Sequence, residues 1–360
     1  MNRRVYLDWN ATAPLRAEAR DAMISAMDVV GNPSSVHAEG RVARGIVERA
    51  RAQVAELVGC NTAEVVFTSG ATEAASVLDF GVEGCDVFVD ETAHDAVWAH
   101  VKMSDWVETP EGAGHTLAMG LANSETGVIT HPPEKADGRY PFGRASADWL
   151  FMDVTQAVGR IAWSFHWSEA DFAILSAHKL GGPKGVGALI VKTGLDIGAL
   201  QLGGGQELGR RSGTENVAGI AGFGAACEAA GRDLADGRWS NVEKLRNILE
   251  NTLAAAAKET IFVGKALSRL PTTSCFTTPG WKGETQVMQM DLAGYAISAG
   301  SACSSGKVKT PRVLRAMGLD DQAAERAVRV SLGPTTTEDD VLGFAEAWLA
   351  QEKKFRARAA

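Results

Sequence analysis

The sequence predicts an α/β protein with a mostly parallel sheet in a large domain and a second, smaller α+β domain. Two observations support this fold class. Short apolar runs of strand length alternate with helical patterns through the first two-thirds of the chain, and polar or glycine-rich segments follow several of these runs. Such alternation places helices on both faces of the sheet. A chain of 360 residues with 45% hydrophobic content can bury two cores of this kind.

The individual elements follow this alternation in order. A helical pattern over 42–58 precedes the first strand, and from about residue 241 the pattern changes to a long helix over 242–258, then strands and a helix near 337–354. We therefore expect a large domain at 13–245 and a small domain made of 1–12 and 246–360. The predicted strands of the large domain are residues 65–67, 87–89, 117–119, 149–152, 172–175 and 188–191.

Composition excludes several classes of function. The net charge is −8 and no Lys/Arg cluster is interleaved with aromatic residues, which argues against a nucleic-acid partner. No stretch has the length of a signal peptide core or a membrane helix, so we expect a cytoplasmic protein without a membrane partner. The cysteines are odd in number and never in Cys-x-x-Cys spacing, so neither a disulfide framework nor a metal site is expected. They are Cys60, Cys85, Cys227, Cys275 and Cys303.

One lysine lies at the end of an apolar run, Asp171-Phe-Ala-Ile-Leu-Ser-Ala-His-Lys179, and a glycine-rich turn, Gly181-Gly-Pro-Lys-Gly185, follows it. Burial disfavours the ammonium form of Lys179, so its amine is suited to condense with a carbonyl group as a Schiff base. The carbonyl most often captured in this way is that of pyridoxal phosphate. The alternative is an ordinary strand-end lysine whose amine reaches water.

Two polar segments at other strand ends supply groups that such a cofactor requires. Thr68-Ser-Gly-Ala-Thr-Glu73 opens a helical pattern and presents N–H groups to a phosphate, although a simple helix cap is the alternative. Asp153 ends a strand, where a carboxylate either keeps a pyridine nitrogen protonated or caps a helix. Gln156 lies about one helical turn farther and can reach the same ligand. In open α/β sheets, these strand ends form the ligand site.

The order of these features resembles that in the fold type I pyridoxal-phosphate enzymes, and the sequence details resemble one branch, the cysteine desulfurases. The resemblance extends over nearly the full chain. The motifs that carry it are Tyr6-Leu-Asp-Trp-Asn-Ala-Thr-Ala-Pro14, Gly31-Asn-Pro-Ser-Ser35, Phe67-Thr-Ser-Gly-Ala-Thr-Glu73, Asn123-Ser-Glu-Thr-Gly127, Asp153-Val-Thr-Gln-Ala-Val-Gly159, Ser176-Ala-His-Lys179, Gly182-Pro-Lys-Gly-Val-Gly187, Arg211-Ser-Gly-Thr214, Ser298-Ala-Gly-Ser-Ala-Cys303 and Val328-Arg-Val-Ser-Leu332.

The resemblance implies a fold type I architecture with pyridoxal 5′-phosphate in the large domain. Lys179 would form the Schiff base, and Asp153 would pair with the pyridine nitrogen. Gln156 would reach the ring 3-hydroxyl, and His94 would stack on the ring face and take part in catalysis. In a homodimer, the phosphate would be held by Ala71, Thr72, Ser176, His178 and the partner subunit's Thr214.

The resemblance also implies a substrate site and a nucleophile in the small domain. Arg329 matches the arginine that grips a substrate carboxylate, a task that suits its bidentate fork. Ser124 and Asn32 would contact the substrate. Cys303 would be the catalytic nucleophile, and the residues themselves agree, because it lies among small residues near Lys307 and Lys309, which favour the thiolate.

The implied reaction converts L-cysteine to L-alanine and leaves a persulfide on Cys303. The sulfur would then pass to an acceptor protein, such as an iron–sulfur scaffold. The chain departs from the family in two ways. Ser124, in the expected substrate site, stands where relatives usually have asparagine. The chain is also shorter than typical members. The alternatives are a selenocysteine lyase or a class V aminotransferase on the same scaffold, or a non-catalytic subunit that binds a sulfur acceptor.

Overall fold

The computed structural model describes residues 4–80, 86–101, 114–300 and 312–359. The chain divides into two compact units. The large unit comprises Pro14–Leu121 and Thr130–Leu234, and the small unit comprises Met1–Ala13, Ala122–Ile129 and Ala235–Ala360. The sequence placed the end of the large domain at residue 245, whereas the large unit ends at Leu234. Residues 122–129 belong to the small unit, although they were expected in the large domain. That segment belongs with the small unit because Ile129 N donates to Ser268 O at 2.9 Å.

The secondary structure of the described ranges alternates between short strands and helices. No helix in these ranges is both long and apolar enough to cross a membrane. The strands are β1 (Val5–Tyr6), β2 (Val65–Thr68), β3 (Asp86–Val89), β4 (His115–Gly120), β5 (Tyr140–Phe142), β6 (Ala145–Ala147), β7 (Trp149–Asp153), β8 (Phe172–Ser176), β9 (Gly187–Val191), β10 (Ile261–Phe262), β11 (Thr273–Thr277), β12 (Tyr295–Ala296), β13 (Ser298–Ala299) and β14 (Ala327–Ser331). The α-helices are α1 (Ala17–Met27), α2 (Ala38–Val58), α3 (Ala71–Ala75), α4 (Val77–Phe80), α5 (Asp95–Trp98), α6 (Val217–Ala235), α7 (Arg238–Ala256), α8 (Gly283–Leu292), α9 (Arg312–Ala316), α10 (Asp321–Arg326) and α11 (Glu338–Ala359).

A six-stranded sheet with the order β2-β9-β8-β7-β4-β3 forms the centre of the large unit. Strands β3, β4, β7 and β8 pair in parallel, whereas β9 is antiparallel to both β8 and β2. All six runs that the sequence predicted as strands lie in this sheet, and the prediction of a mostly parallel α/β sheet is confirmed. The antiparallel direction of β9 was not predicted.

Helices cover both faces of this sheet. On one face, Val66, Phe151 and Ile174 pack against α3 and α5 in one buried cluster. On the other face, the Phe67 ring meets the Phe223 ring of α6 edge-on, with centroids 6.3 Å apart. The strands are accordingly apolar on both sides, which is the pattern of a sheet buried between two helical layers.

The small unit contains a four-stranded antiparallel sheet with the order β10-β11-β14-β13. Strand β1 pairs in parallel with β12 in a separate two-stranded sheet. Helix α11 packs on β11 through Trp348, whose ring meets Phe276 edge-on at 5.4 Å and whose Nε1 donates to Gln286 at 2.9 Å. The predicted long helices near 242–258 and 337–354 are confirmed as α7 and α11.

Candidate active site

The polar residues predicted from the sequence gather at one edge of the large sheet. Asp153 is the last residue of β7 and pairs in register with Ile174 of the parallel strand β8. Strand β8 ends two residues later at Ser176, and a 3₁₀ turn, Ala177–Lys179, follows directly. His178 and Lys179 therefore lie just beyond the carboxyl end of the same strand, where ligands bind in sheets of this kind.

The antiparallel strand β9 connects this edge to the turn after β2. Gly187 of β9 pairs with Thr68 on one side and with Ser176 on the other. A Cβ at Gly187 would lie 2.6 Å from the Cα of Gly70, so only glycine allows the turn after β2 to approach this closely. A Cβ at Gly70 would lie 3.8 Å from the Ser176 hydroxyl oxygen. The start of α3 thus faces the end of β8 across a narrow cradle.

The turn from Thr68 to Glu73 is held by side-chain contacts at its outer side. Glu73 accepts a hydrogen bond from Ser69 N at 2.7 Å and from Arg211 Nε at 2.9 Å. Burial opposes ionisation of Glu73, but these hydrogen bonds outweigh it and lower the pKa of the carboxyl. Gly70 precedes α3 with φ 157°, and the first N–H groups of α3, at Ala71 and Thr72, have no acceptor within the helix itself. Such N–H groups can bind a phosphate.

The electrostatic potential at this edge of the sheet is positive. Burial, followed by the charges of Lys179, Lys184 and Arg160, lowers the pKa of His178 from 6.5 to about 4. The imidazole is therefore neutral at pH 7, and one of its nitrogens can still donate a hydrogen bond. Because the neighbouring cations disfavour a further positive charge, the same potential favours an anionic group such as a phosphate.

Two further predicted residues lie in the turn after β7. Asp153 Oδ1 accepts a hydrogen bond from Thr155 N at 3.0 Å, so the carboxylate shapes the start of the turn as well as ending the strand. Gln156 is buried, and its Oε1 accepts a hydrogen bond from Arg160 Nη1 at 2.8 Å. Arg160 Nη2 also donates to the carbonyl of Lys179 at 3.3 Å. Arg160 was not identified from the sequence, although its spacing of four residues from Gln156 could have indicated the contact.

The remaining predicted residues of the large unit are exposed. His94 caps α5, and its Nδ1 accepts a hydrogen bond from Ala96 N at 3.1 Å, which leaves Nε2 as the protonated nitrogen of the neutral ring. Thr214 lines a small cavity of about 120 Å³ together with Thr68 and Ser69 of the same chain. Asn32 accepts a hydrogen bond from Ser34 N at 2.9 Å within its own loop, and no described contact joins it to the cradle.

In the small unit, Arg329 is held between two carboxylates. Its Nη1 donates to Glu125 Oε1 at 2.9 Å and its Nη2 donates to Asp8 Oδ1 at 3.0 Å. The Arg329 side chain is only 4% exposed, and the side chains of Asp8 and Glu125 are 15% and 9% exposed, respectively. Asp8 also accepts a hydrogen bond from Ser298 Oγ at 2.8 Å. Neither carboxylate was identified as a site residue from the sequence, because positions 8, 125 and 329 meet only in the folded chain.

Ser124 lies beside this cluster and contacts it through its main chain. The Ser124 carbonyl accepts hydrogen bonds from Arg329 Nη1 at 3.2 Å and from Asn10 Nδ2 at 3.0 Å. The turn that carries it is fixed by Asn123, whose Oδ1 accepts from the backbone N–H groups of Glu125 and Thr126, each at 3.0 Å. The side chain of Ser124 is thus presented on a rigid turn beside the arginine.

The cysteines in the described ranges are unsuited to nucleophilic chemistry. Cys227 and Cys275 are buried, and burial raises the pKa of both thiols. Burial and then the charge of Glu64 raise the pKa of Cys60 to about 12. Cys85 and the predicted nucleophile Cys303, with Lys307 and Lys309, lie outside the described residues.

The residues at the sheet edge fit a phosphate-bearing pyridine cofactor. The edge provides an amine (Lys179), a carboxylate (Asp153) and an amide (Gln156), together with a hydroxyl (Ser176) and a neutral imidazole in a positive potential. The cradle between α3 and β8 is one that a Cβ at Gly187 would block. Its N–H and O–H donors match the requirements of a phosphate.

Comparison with known proteins gives consistent results. The aminotransferase class-V family model matches residues 5–104 and 115–344. The cysteine desulfurase of Cereibacter sphaeroides is 35% identical over 367 residues, which cover 94% of this chain and 93% of that protein. The cysteine desulfurase of Frankia sp. (strain EuIK1) is 37% identical over 383 residues, covering 95% and 90% of the two chains. A solved NifS-like protein from Rickettsia africae superposes with a TM-score of 0.82 at 28% identity, over 97% of this chain and 99% of that one.

Proposed function

Since this chain belongs to the aminotransferase class-V family and, within it, to the cysteine desulfurases, we propose that it converts L-cysteine to L-alanine and passes the sulfur to an acceptor protein. The family depends on pyridoxal 5′-phosphate, and the fold is that of its fold type I enzymes. The observation that carries the proposal is the combination of Asp153, Ser176 and Lys179 at one sheet edge in a chain so similar to cysteine desulfurases along nearly its full length.

The residues of the sheet edge have distinct proposed roles toward the cofactor. When bound, pyridoxal phosphate supplies a carbonyl carbon for the substrate amine and a ring that accepts electrons. Lys179 Nζ would be its attachment point, Asp153 would pair with the ring nitrogen, Gln156 would donate to the ring 3-oxygen and His94 would stack on the ring. The phosphate would be held by Ala71, Thr72, Ser176 and His178, and by the partner subunit's Thr214 in a homodimer.

Three side chains have proposed roles toward the substrate. Arg329 binds the carboxylate of L-cysteine through its planar fork, beside Ser124, and Asn32 contributes a further contact. Lys179 Nζ would act as the base that takes the proton from the substrate Cα. Cys303 then attacks as a thiolate, forms a bond to the substrate sulfur, and the Cβ–S bond breaks with its electron pair left on the carbon skeleton. Protonation at Cβ and return of a proton to Cα then give alanine, and the sulfur remains on Cys303 as a persulfide.

The choice of Cys303 as nucleophile is supported by the properties of the other cysteines. Cys60, Cys227 and Cys275 have raised thiol pKa values because they are buried, so little thiolate is present at neutral pH. Cys303 is flanked by small residues and is close in sequence to Lys307 and Lys309. A free reactive thiol is compatible with a reducing compartment, so we place the enzyme in the cytoplasm. The acceptor is proposed to be a protein of iron–sulfur cluster or other sulfur-transfer assembly.

The test is to incubate the purified protein with L-cysteine and to measure alanine, sulfide and the mass of the peptide that contains Cys303. We expect equal amounts of alanine and transferred sulfur, and an added sulfur atom on Cys303. Cys303→Ala should retain the cofactor and lose sulfur transfer, whereas Lys179→Ala should lose the covalently attached cofactor. Amino-group transfer that persists in Cys303→Ala would indicate an aminotransferase, and a higher rate with selenocysteine than with cysteine would indicate a selenocysteine lyase.

A further inference from the structure

A buried guanidinium connects two elements of the candidate cofactor site. Arg160 is 3% exposed, and it donates from Nη1 to Gln156 Oε1 at 2.8 Å and from Nη2 to the Lys179 carbonyl at 3.3 Å. Gln156 lies in the turn after β7, whereas Lys179 lies in the turn after β8. A single side chain therefore connects the ends of two neighbouring strands, although Arg160 and Lys179 are 19 residues apart in the chain.

The backbone around Arg160 is built for this contact. Arg160 N donates to Ala157 O at 3.0 Å, and this hydrogen bond closes the turn that carries both Gln156 and Arg160. Gly159 has φ 74°, and a Cβ there would lie 2.7 Å from Leu180 Cδ2. The turn can pack this closely against the residue after Lys179 only because position 159 is glycine.

The chemistry of the guanidinium determines which end of the Gln156 amide faces it. A guanidinium carries only donors, so only the carbonyl oxygen of Gln156 can accept from Arg160. The NH₂ group must then point away from Arg160, and it can only donate. A flipped amide would instead turn its NH₂ group toward the guanidinium, donor against donor, and present an acceptor in place of a donor on its other side.

We propose that Arg160 is a positioning residue of the cofactor site, which orients the Gln156 amide as a hydrogen-bond donor toward the cofactor and anchors the main chain at Lys179. This inference rests on the proposed function, because it takes the group beyond Gln156 to be the cofactor ring oxygen. A donor at that oxygen stabilises its anionic form, whereas a flipped amide would place a lone pair against it. Arg160 acts through Gln156 and Lys179 and itself touches neither cofactor nor substrate in this role.

The test compares the holoenzyme with the variants Arg160→Met, Arg160→Lys and Gln156→Leu. For each, the absorbance of the bound cofactor is titrated with pH, and the dissociation constant of the cofactor is measured after removal and readdition. Arg160→Met should raise the dissociation constant by about tenfold, since losing a charge-assisted hydrogen bond costs about 1.4 kcal/mol or more. The absorbance midpoint should move to higher pH by about one unit, because the deprotonated form loses its donor.

Two comparisons separate positioning from simple structural support. Arg246 is also buried, at 6% exposure, and donates to the Leu270 carbonyl at 2.7 Å, but it lies in the small unit. Arg246→Met should lower the melting temperature like Arg160→Met and leave the absorbance midpoint unchanged. In the Gln156→Leu background, Arg160→Met should shift the midpoint no further. Compared with Arg160→Met, Arg160→Lys should bring the melting temperature closer to the wild-type value than it brings the absorbance midpoint, because lysine has a single nitrogen.

Several outcomes would overturn the inference. If the wild type binds cofactor but the midpoint and dissociation constant of Arg160→Met match the wild type, Arg160 is structural support only and the proposed function stands. Additive midpoint shifts in the Gln156→Leu/Arg160→Met double variant would show that Arg160 does not act through Gln156. If the wild type itself binds no pyridoxal phosphate, the proposed function fails and this inference fails with it.

Discussion

A Cβ at Gly187 of β9 would lie 2.6 Å from the Cα of Gly70, the residue that precedes α3. The atom that this Cβ would meet belongs to the backbone, so it cannot move aside as a flexible side chain would. It fixes how closely the start of α3, the proposed phosphate site, approaches Ser176 at the end of β8, because Gly187 pairs with both Ser176 and Thr68. The size of the cradle is therefore determined by a residue with no side chain at all.

Gly187→Ala is expected to weaken cofactor binding more than it weakens the fold. The added methyl group must displace the start of α3, because it overpacks the sheet at a cost of about 1–3 kcal/mol. This displacement shifts the N–H groups that are proposed to bind the phosphate. The measurement is the cofactor dissociation constant together with the free energy of unfolding by urea. Gly45→Ala is the control, since nothing lies within 4 Å of a Cβ at this helical position. It should stabilise the protein by about 0.5–1 kcal/mol with unchanged cofactor affinity. Equal affinities of the two variants would contradict the role given to Gly187.

The sequence allowed the strands and their polar ends to be predicted, because both are local signals. Apolar runs mark β2, β7 and β8, and the groups that follow them lie at the carboxyl ends of the strands in any parallel sheet. The contribution of Gly187 was not predictable in the same way. It depends on β9 lying antiparallel between β2 and β8, a long-range pairing that no local pattern specifies.

The cluster around Arg329 illustrates the same limit in the small unit. Arg329 was identified by its motif, but its two carboxylate partners come from positions 8 and 125, far away in the chain. Their pairing results from the register of β14 and from the turn at Asn123, which itself groups with the small unit. The residue type was therefore predictable, whereas its electrostatic environment required the folded structure.

Arg329→Met is expected to destabilise the protein by roughly 3–5 kcal/mol, because Asp8 and Glu125 would remain buried without a counter-charge. The measurement is the free energy of unfolding by urea at pH 7. Adding Glu125→Gln to this variant should recover part of the loss by removing one buried charge. Arg315→Met is the control, since Arg315 and Asp321 form an ion pair 2.8 Å apart with side chains that are 57% and 61% exposed. That pair should contribute less than about 1 kcal/mol, and a similar loss in both variants would refute the buried cluster as a source of stability.

Ser124→Asn is expected to change substrate affinity without a large change in stability. The hydrogen bonds that tie position 124 to Arg329 and Asn10 come from its carbonyl oxygen, so a different side chain leaves them in place. An asparagine side chain is longer and adds a second polar group next to Arg329. We expect the KM for L-cysteine to fall about threefold to tenfold, as one added hydrogen bond permits, with the free energy of unfolding within about 0.5 kcal/mol of the wild type. An unchanged KM would show that residue 124 does not contact the substrate.

His178 should make the stability of the cofactor-free protein depend on pH between about 4 and 6.5. Burial and the neighbouring cations lower its pKa from 6.5 to about 4 in the folded chain. Between these values, the unfolded chain binds a proton at this residue and the folded chain does not, so stability must fall as the pH decreases through this range and is fully present above 6.5. His178→Gln removes this contribution, and its free energy of unfolding should decrease less than that of the wild type between pH 7 and pH 5. His131→Gln, at an exposed position, should follow the wild-type profile. If His178→Gln also followed it, the imidazole would not be held neutral by burial and the neighbouring cations, and the positive potential inferred for the sheet edge would lose its support.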